Sequence, residues 1–120
     1  MRLLALRGAI TCDDDTKAEI DTKTQRLVRE MLQRNEIHHD DLVSVLFTAT
    51  DDLTAEFPAA AARELGLGDV PLLCARELAV RGAMARCIRV LVHFYGDKTR
   101  DQLHHVYLDG ARSLRDDLPE

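Results

Sequence analysis

A single long amphipathic segment stands between runs that alternate like β-strands, and this arrangement narrows the possible folds more than any other feature. The segment is predicted to be a helix that begins after Thr16 and stops at Asn35, because its apolar side chains recur at helical spacing. Thr16 and Glu19 have the three-residue spacing of a capping box. One helix of this length covers one face of a sheet, so the other face is expected to be open.

The remaining elements are shorter. Five segments have the apolar or alternating pattern of strands: residues 3–11, 42–50, 70–74, 87–95 and 104–108. Pro58 and Gly66 frame a short helix, with proline near its start and glycine after its end. Residues 75–80 are predicted to form a helical turn.

This order of elements indicates an α+β fold, in which a mixed β-sheet has one long helix packed on it. The 120 residues are enough for one domain, and those after about residue 110 are expected to form a flexible tail. An uncovered sheet face favours an oligomer, since extended apolar surface usually meets a partner.

The composition excludes several classes of partner. The chain has 16 Lys and Arg against 21 Asp and Glu, and the cations are scattered, so no nucleic-acid partner is expected. No segment approaches the roughly 20 apolar residues of a membrane helix. Arg7 interrupts the first apolar run too early for a signal peptide.

Three cysteines without a Cys-x-x-Cys pair argue against a disulfide framework, and we expect a cytoplasmic protein.

Motifs for several common kinds of catalysis are missing from the sequence. It has no phosphate-binding glycine loop, no G-x-S-x-G, no H-E-x-x-H and no Cys/His metal spacing. The pairs His38-His39 and His104-His105 are adjacent, and in a strand adjacent rings point to opposite faces. The sequence therefore predicts neither a metal nor a cofactor.

Two arginines lie inside strands that are otherwise apolar, Arg7 in the first and Arg89 in the strongest. A guanidinium group is planar, permanently charged and suited to carboxylates, so we interpret the two as ligands for an anion. For either one alone, an arginine on an open sheet face is the alternative. Arg63 and Arg115 could add to such a site, with a solvated surface arginine as the simpler interpretation of each.

Two cysteines border the apolar strands, and Cys74 and Cys87 are interpreted as buried, space-filling thiols. Glu77 follows Cys74 by three residues, a spacing that across a turn would let both side chains address one ligand. Taken alone, Glu77 is an ordinary surface acid.

Several segments, in order, resemble the monofunctional chorismate mutases of the trimeric α/β (AroH) class. They are residues 7–11 (RGAIT), 44–53 (SVLFTATDDL), 56–59 (EFPA), 63–65 (REL), 70–74 (VPLLC) with Glu77, 87–90 (CIRV) and 102–108 (QLHHVYL). The pieces run in the family's order from residue 3 to about residue 115 with almost no insertion.

The resemblance implies an isomerase that rearranges chorismate to prephenate in the biosynthesis of phenylalanine and tyrosine. It also implies a homotrimer whose sheets form a pseudo α/β-barrel, with active sites in clefts between subunits. The reaction is an intramolecular Claisen rearrangement. It requires a folded substrate and a positive charge at the breaking ether oxygen, rather than a nucleophile, metal or cofactor.

The family's catalytic residues map onto matching positions of this sequence. The carboxylate-binding arginine corresponds to Arg7, and the phenol that assists it corresponds to Tyr107. Arg89 corresponds to the arginine that donates to the ether oxygen. The residue that binds the ring hydroxyl corresponds to Glu77, with Cys74 beside it.

The resemblance also implies that the cleft has a second wall and a cover. Phe57 and Arg63 correspond to cleft residues, with Phe57 contributed across the subunit boundary. Leu114 and Arg115 correspond to a mobile tail that covers the site. Ala60 stands where the family often has a lysine, so electrostatic help from that position is absent.

Two other functions are compatible with a small trimer of this kind. One is a metabolite-binding or regulatory module without catalysis, which would not need Arg89, Glu77 and Tyr107 together. The other is a deaminase-type hydrolase acting on imines, in which Glu77 would position a water molecule. Following chorismate by its ultraviolet absorbance discriminates among the three.

Overall fold

The structure is a computed structural model that describes residues 1–115. The strands are β1 (Arg2–Thr11), β2 (Leu42–Ala49), β3 (Leu72–Arg76), β4 (Cys87–Gly96) and β5 (Val106–Leu108). The α-helices are α1 (Lys17–Arg34) and α2 (Pro58–Ala62), the latter continued by a π-helical turn at Arg63–Leu67. Short 3-10 helices form at His39–Asp41, Arg100–Gln102 and Asp109–Arg115.

All five strands belong to one sheet, in the order β3-β2-β4-β1-β5. The central strand β4 is antiparallel to both β1 and β2, whereas β5 runs parallel to β1 and β3 runs parallel to β2. The sheet is therefore mixed. The prediction of an α+β fold is confirmed.

Helix α1 packs closely on one face of this sheet. The face is formed in β1 by buried Leu4, Leu6 and Ile10, as the alternation predicts. A Cβ atom on Gly8 would lie 2.5 Å from the Sδ atom of Met31, so the glycine permits the close approach of α1. No helix in the described chain is long and apolar enough to span a membrane.

The opposite sheet face is open except at one end, where the 3-10 helix Asp109–Arg115 packs over Ala9, Cys87 and Tyr107. Both α-helices contribute their buried side chains to the core on the first face, so the described chain supplies no α-helix to the second. Leu3 and Leu73, which alternation directs to the second face, are 56% and 60% exposed. This second face thus exposes apolar side chains as well as the two strand arginines, Arg7 and Arg89.

The start of α1 agrees with the predicted cap in one of its two hydrogen bonds. The Thr16 hydroxyl accepts from the Glu19 backbone N–H at 3.2 Å. The Glu19 carboxylate does not return to Thr16 but accepts from the backbone N–H of Asp13 at 2.6 Å. The acidic residue therefore secures the preceding loop instead of closing a capping box.

The end of α1 fixes where the last strand begins. Asn35 is buried, and its side-chain oxygen accepts from the His104 backbone N–H at 2.7 Å. Its amide nitrogen donates to the carbonyl oxygens of Met31 and His104, both at 2.9 Å. Because Asn35 engages the His104 backbone on both sides, the strand predicted from residue 104 starts only at Val106.

The third strand forms two residues later than predicted, and the prediction of a helical turn after it was wrong. The strand spans Leu72–Arg76, because it pairs in parallel with β2 from Val45 to Ala49. The Glu77 backbone N–H then donates to the carbonyl oxygen of Ala49 at 3.0 Å, which continues the contact with β2. No helical turn forms at residues 75–80.

The region predicted as a tail begins with regular structure. Residues Asp109–Arg115 form a 3-10 helix, and Ala111 within it is fully buried. Residues 116–120 lie outside the described residues, as does the side chain of Arg115. The proposed flexibility of the tail stays a prediction.

Candidate active site

Side chains from several strands meet in a pocket on the open face of the sheet. Ala9 of β1 is paired with Arg89 of β4 on one side and with Tyr107 of β5 on the other, so the three share a face. The cavity has a volume of about 280 Å³. We call it the arginine pocket and define it by five of its lining residues: Arg7, Thr48, Glu77, Arg89 and Tyr107.

A carboxylate lies beside one guanidinium group of this pocket without occupying it. Thr48 donates a hydrogen bond from its hydroxyl to Oε2 of Glu77 at 2.7 Å. The Nη1 atom of Arg89 lies 3.9 Å from the same oxygen, which is too long for a hydrogen bond. Among residues 1–115, no acceptor makes a hydrogen bond with the Arg89 guanidinium group. Its N–H donors can therefore bind an anionic ligand.

Tyr107 contributes a polar group without a protein partner. The residue is 5% exposed, and its hydroxyl is buried with no hydrogen-bond partner in the described part of the chain. A buried hydroxyl that makes no hydrogen bond costs about 1–3 kcal/mol, so such groups usually serve a ligand or bound water. Its position in the arginine pocket indicates a ligand with a hydrogen-bonding group.

Arg7 is half-buried and its strand is tied to the next segment of the sheet. The Arg7 backbone N–H donates to Nδ1 of His105 at 3.0 Å, one residue before β5 begins. This bond continues the contact between β1 and the chain that leads to Tyr107. The positions of Arg7 and Tyr107 are therefore both fixed by the pairing of β1 with β5.

A small apolar cluster borders the pocket. It consists of buried Ala9, Cys87, Tyr107 and Ala111, with Leu114 packed against it. Burial raises the pKa of the Cys87 thiol to about 11, against the opposing effect of the nearby Arg89 charge. The thiol is protonated at neutral pH, in agreement with its predicted space-filling role.

A second pocket lies elsewhere on the chain. It has a volume of about 430 Å³, and we define the Phe57 pocket by five of its lining residues: Leu53, Glu56, Phe57, Cys74 and Arg76. The Phe57 side chain is 68% exposed, which is unusual for a large aromatic ring. Its exposure indicates a contact outside the single chain.

The segment that presents Phe57 is firmly held. The Asp15 carboxylate accepts from the Thr54 backbone N–H at 2.9 Å, the Thr54 hydroxyl at 2.8 Å and the Ala55 N–H at 3.0 Å. These hydrogen bonds lower the pKa of Asp15, and the bond from the Thr54 hydroxyl has the largest effect. Glu56 in turn accepts from the Phe57 backbone N–H at 2.9 Å. The exposed ring thus projects from a segment that Asp15 fastens through three hydrogen bonds.

The predicted site residues are divided between these two pockets. Arg7, Glu77, Arg89 and Tyr107 come together, but Cys74 lines the Phe57 pocket and packs on the core face. The expected convergence of Cys74 and Glu77 within one chain was therefore wrong, because β3 extends beyond residue 74 and directs the thiol to the other face.

Three further predicted residues lie outside the arginine pocket. Arg63 is exposed at the start of the π-helical turn and lines neither defined pocket. Leu114 lies next to the pocket through its contact with the Ala9–Cys87–Tyr107–Ala111 cluster. The side chain of Arg115 lies outside the described residues.

One pocket residue was missed by the sequence reasoning. Thr48 belongs to a resembling segment but was given no role, although it holds the Glu77 carboxylate. Its signal was alternation, which puts Thr48 on the face of β2 opposite to Val45 and Phe47. Within residues 1–115, no three His, Cys, Asp or Glu side chains lie close enough together to hold a metal ion.

The protein is thus an α+β domain that carries two arginines, a glutamate and a buried phenol on one face of its sheet, a set suited to binding a small anion. The family model of chorismate mutase type I matches residues 3–118. The chain is 47% identical to the chorismate mutase AroH of Thermus thermophilus over 114 residues, which cover 94% of this chain and 93% of that protein. It is 42% identical to the chorismate mutase AroH of Bacillus subtilis, with coverage of 98% and 94%.

A solved structure agrees with the sequence relatives. A chorismate mutase from Clostridium thermocellum superposes with a TM-score of 0.90 at 44% identity, covering 92% of this chain and 98% of that one. The chain belongs to the chorismate mutase type I family. Neither the non-catalytic module nor the imine deaminase is favoured by these relatives.

Proposed function

We propose that this chorismate mutase rearranges chorismate to prephenate in the arginine pocket, with Arg89, Glu77 and Arg7 as its catalytic residues. The enzyme is an isomerase by its family. The observation that carries the site assignment is the convergence of Arg7, Glu77, Arg89 and an unpartnered Tyr107 hydroxyl in one cavity. Two fixed positive charges suit a substrate that carries two carboxylates.

Arg89 stabilises the transition state. As the C–O bond of the substrate breaks, the ether oxygen gains negative charge, and a guanidinium group beside it becomes a better partner than it was in the ground state. The geometry supports this role, because the Arg89 donors are 3.9 Å from Glu77 and not hydrogen-bonded to it. No proton is transferred, so the pocket requires no general acid or base.

The other pocket residues hold the substrate in its reactive shape. Arg7 binds a carboxylate, and the Tyr107 hydroxyl donates to the same group, which relieves its unsatisfied burial. Glu77 accepts a hydrogen bond from the ring hydroxyl, and Thr48 holds the glutamate at 2.7 Å. Restricting the substrate to a folded conformer removes much of the entropic part of the barrier.

A neighbouring subunit supplies the second wall of the cleft. In the proposed homotrimer, the open sheet faces pack together. The Phe57 pocket of one subunit, which Cys74 lines, then meets the arginine pocket of the next, and the exposed Arg63 joins them there. Support comes from the exposed Phe57 ring and the exposed apolar residues Leu3 and Leu73. Light scattering that finds an active monomer would exclude this arrangement.

The start of the tail closes the cleft in this proposal. Leu114 lies against the wall that contains Tyr107, and the resemblance assigns Arg115 to the same cover. Cys12, Cys74 and Cys87 are free thiols, which suits the reducing cytoplasm expected from the sequence.

The decisive experiment is an assay of the purified chain with chorismate. The ultraviolet absorbance of chorismate should fall as prephenate forms, with no added metal or cofactor, and chromatography should identify the product. Binding of chorismate without turnover would refute the proposed reaction and favour the binding-module alternative.

A further inference from the structure

The turn that follows Tyr107 is fastened to α1 by an ion-pair cluster. Asp109, directly after β5, adopts a left-handed backbone conformation with φ of 54°. Its carboxylate accepts a hydrogen bond from Nζ of Lys23 and two bonds of 3.1 Å from Nη1 of Arg26. Few residues other than glycine adopt this conformation, and aspartate and asparagine do so most readily.

The next residue is fastened to the sheet. The Gly110 backbone N–H donates to the hydroxyl of Thr11 at 2.8 Å. A Cβ atom at Gly110 would lie 2.7 Å from the same oxygen, so the chain passes β1 too closely for a side chain. The turn is therefore tied to α1 through Asp109 and to β1 through Gly110.

This double attachment matters because β5 is a weak element. It has three residues and pairs only with β1, at the edge of the sheet. Tyr107 lies two residues before Asp109, while Ala111 and Leu114 follow it and pack against Tyr107. The orientation of the phenol and of the segment beside the pocket thus depends on the turn between them.

The charges of the cluster are in place at neutral pH. The hydrogen bond from Lys23, with the Arg26 bonds and both positive charges, lowers the pKa of the Asp109 carboxyl against the opposing effect of burial. The same bond raises the pKa of Lys23. The Lys23 and Asp109 side chains are 15% and 29% exposed, so solvent screens this pair less than a fully exposed one.

We propose that Asp109 is a positioning residue of the substrate site. Its bonds to Lys23 and Arg26 fix the turn that holds Tyr107 in the arginine pocket and Leu114 against it. The inference rests on the proposed function of that pocket. It assigns a role in substrate binding to charged residues on α1, which packs on the opposite face of the sheet.

The test is Asp109→Asn, which keeps a side chain that tolerates the left-handed conformation but deletes the charge. Tyr107 and Leu114 would contact the substrate before and during the reaction, so their displacement should raise KM about fivefold or more while kcat changes by less than about twofold. Lys23→Met should raise KM in the same direction. The double variant should be little worse than Asp109→Asn, because the two act through one interaction.

Glu30→Gln is the matched control. It breaks the ion pair between Glu30 and Arg34 on the same helix, where the side chains are 32% and 37% exposed, and KM should not change. If Asp109→Asn folds poorly, Lys23→Met alone decides the matter, since it removes one of the two attachments of Asp109 to α1 and leaves the Arg26 bonds to preserve the fold.

The outcomes separate the two proposals. A wild-type chain that fails to convert chorismate refutes the proposed function before any variant is compared. An active wild type whose KM is unchanged by both Asp109→Asn and Lys23→Met refutes the positioning role. Equal increases in KM for Glu30→Gln and Asp109→Asn also refute it, because a general loss of helix stability would then account for the effect.

Discussion

Deleting the charge of Arg89 while keeping its shape is the sharpest perturbation of the proposed chemistry. Citrulline has the planar group and most of the N–H donors of arginine but is neutral. The Arg89 side chain is 42% exposed in the single chain, and its nearest anion is Glu77 at 3.9 Å. The lost interaction is therefore that between a fixed cation and an oxygen that gains charge in the transition state.

The size of the effect follows from the polarity of the surroundings. Two unit charges about 4 Å apart interact with about 1 kcal/mol in bulk water and about 4 kcal/mol at an effective dielectric constant of about 20. Because about 1.4 kcal/mol corresponds to tenfold in rate, the loss lies between about fivefold and about 10³-fold. We expect at least about 10²-fold in kcat, since a neighbouring subunit would cover the partly exposed guanidinium group.

The assay is initial-rate chorismate consumption over a range of concentrations, with the oligomeric state checked by light scattering. Arg89→Ala, which also removes the donors, should lower kcat further. Arg7→Ala should act more on KM, because its carboxylate contact exists before and during the reaction. Arg29→Ala, an exposed arginine of α1, controls for the change in net charge. A citrulline enzyme with a near wild-type kcat would refute the electrostatic mechanism.

Three further outcomes follow from the same mechanism and from the buried thiols. Turnover should be nearly flat from about pH 6 to about pH 8, where histidine titrates, and a bell-shaped profile of the chemical step would contradict the absence of acid–base catalysis. Cys74→Ser and Cys87→Ser should each keep substantial activity, whereas a trapped substrate adduct on either thiol in mass spectrometry would indicate covalent catalysis. Burial raises the pKa of Cys12 to about 12 and of Cys87 to about 11, above the ordinary 9.0. As the pH rises above 9, the unfolded thiols ionise first, so the free energy of unfolding should fall, and urea titrations of Cys12→Ala/Cys87→Ala should show a weaker fall.

The alternation of apolar residues was enough to predict the faces of the longer strands. In β4, the set Ile88, Val90, Val92 and Phe94 is buried as the pattern requires, and Arg89 lies on the other side. Because a strand has a period of two, the sequence alone directs Arg7 and Arg89 away from the core. Their convergence, however, needs the register of β1 with β4.

The errors arise where a long-range contact decides the local structure. Residues 75–80 were interpreted as a helical turn, in which Cys74 and Glu77 would share a side. Parallel pairing with β2 instead extends β3 to Arg76, and an odd offset in a strand reverses the face. The roles of Thr48 toward Glu77 and of Asn35 toward His104 likewise depend on partners 29 and 69 residues away. No periodicity encodes such pairs.

Cys74 lines the Phe57 pocket and not the arginine pocket, and this division of the site residues leads to a direct test of a cleft between subunits. If the Phe57 pocket of one subunit completes the arginine pocket of another, each active site draws on two chains. Arg89→Ala impairs the first half of the site, which is the arginine pocket. Phe57→Asp impairs the second by putting a carboxylate beside a dianionic substrate, and the position is 68% exposed, so folding should be retained. Each variant alone should have little activity at low chorismate concentration.

Mixed oligomers of the two variants should regain activity. When equal amounts are unfolded together and refolded, a site is intact if it takes Arg89 from one kind of chain and Phe57 from the other. Random assembly makes about a quarter of the sites intact in any closed ring of heterologous contacts. Refolding each variant separately before mixing is the control. Activity of the co-refolded sample no greater than the sum of the two variants would mean that both halves belong to the same chain, and the proposed cleft between subunits would be wrong.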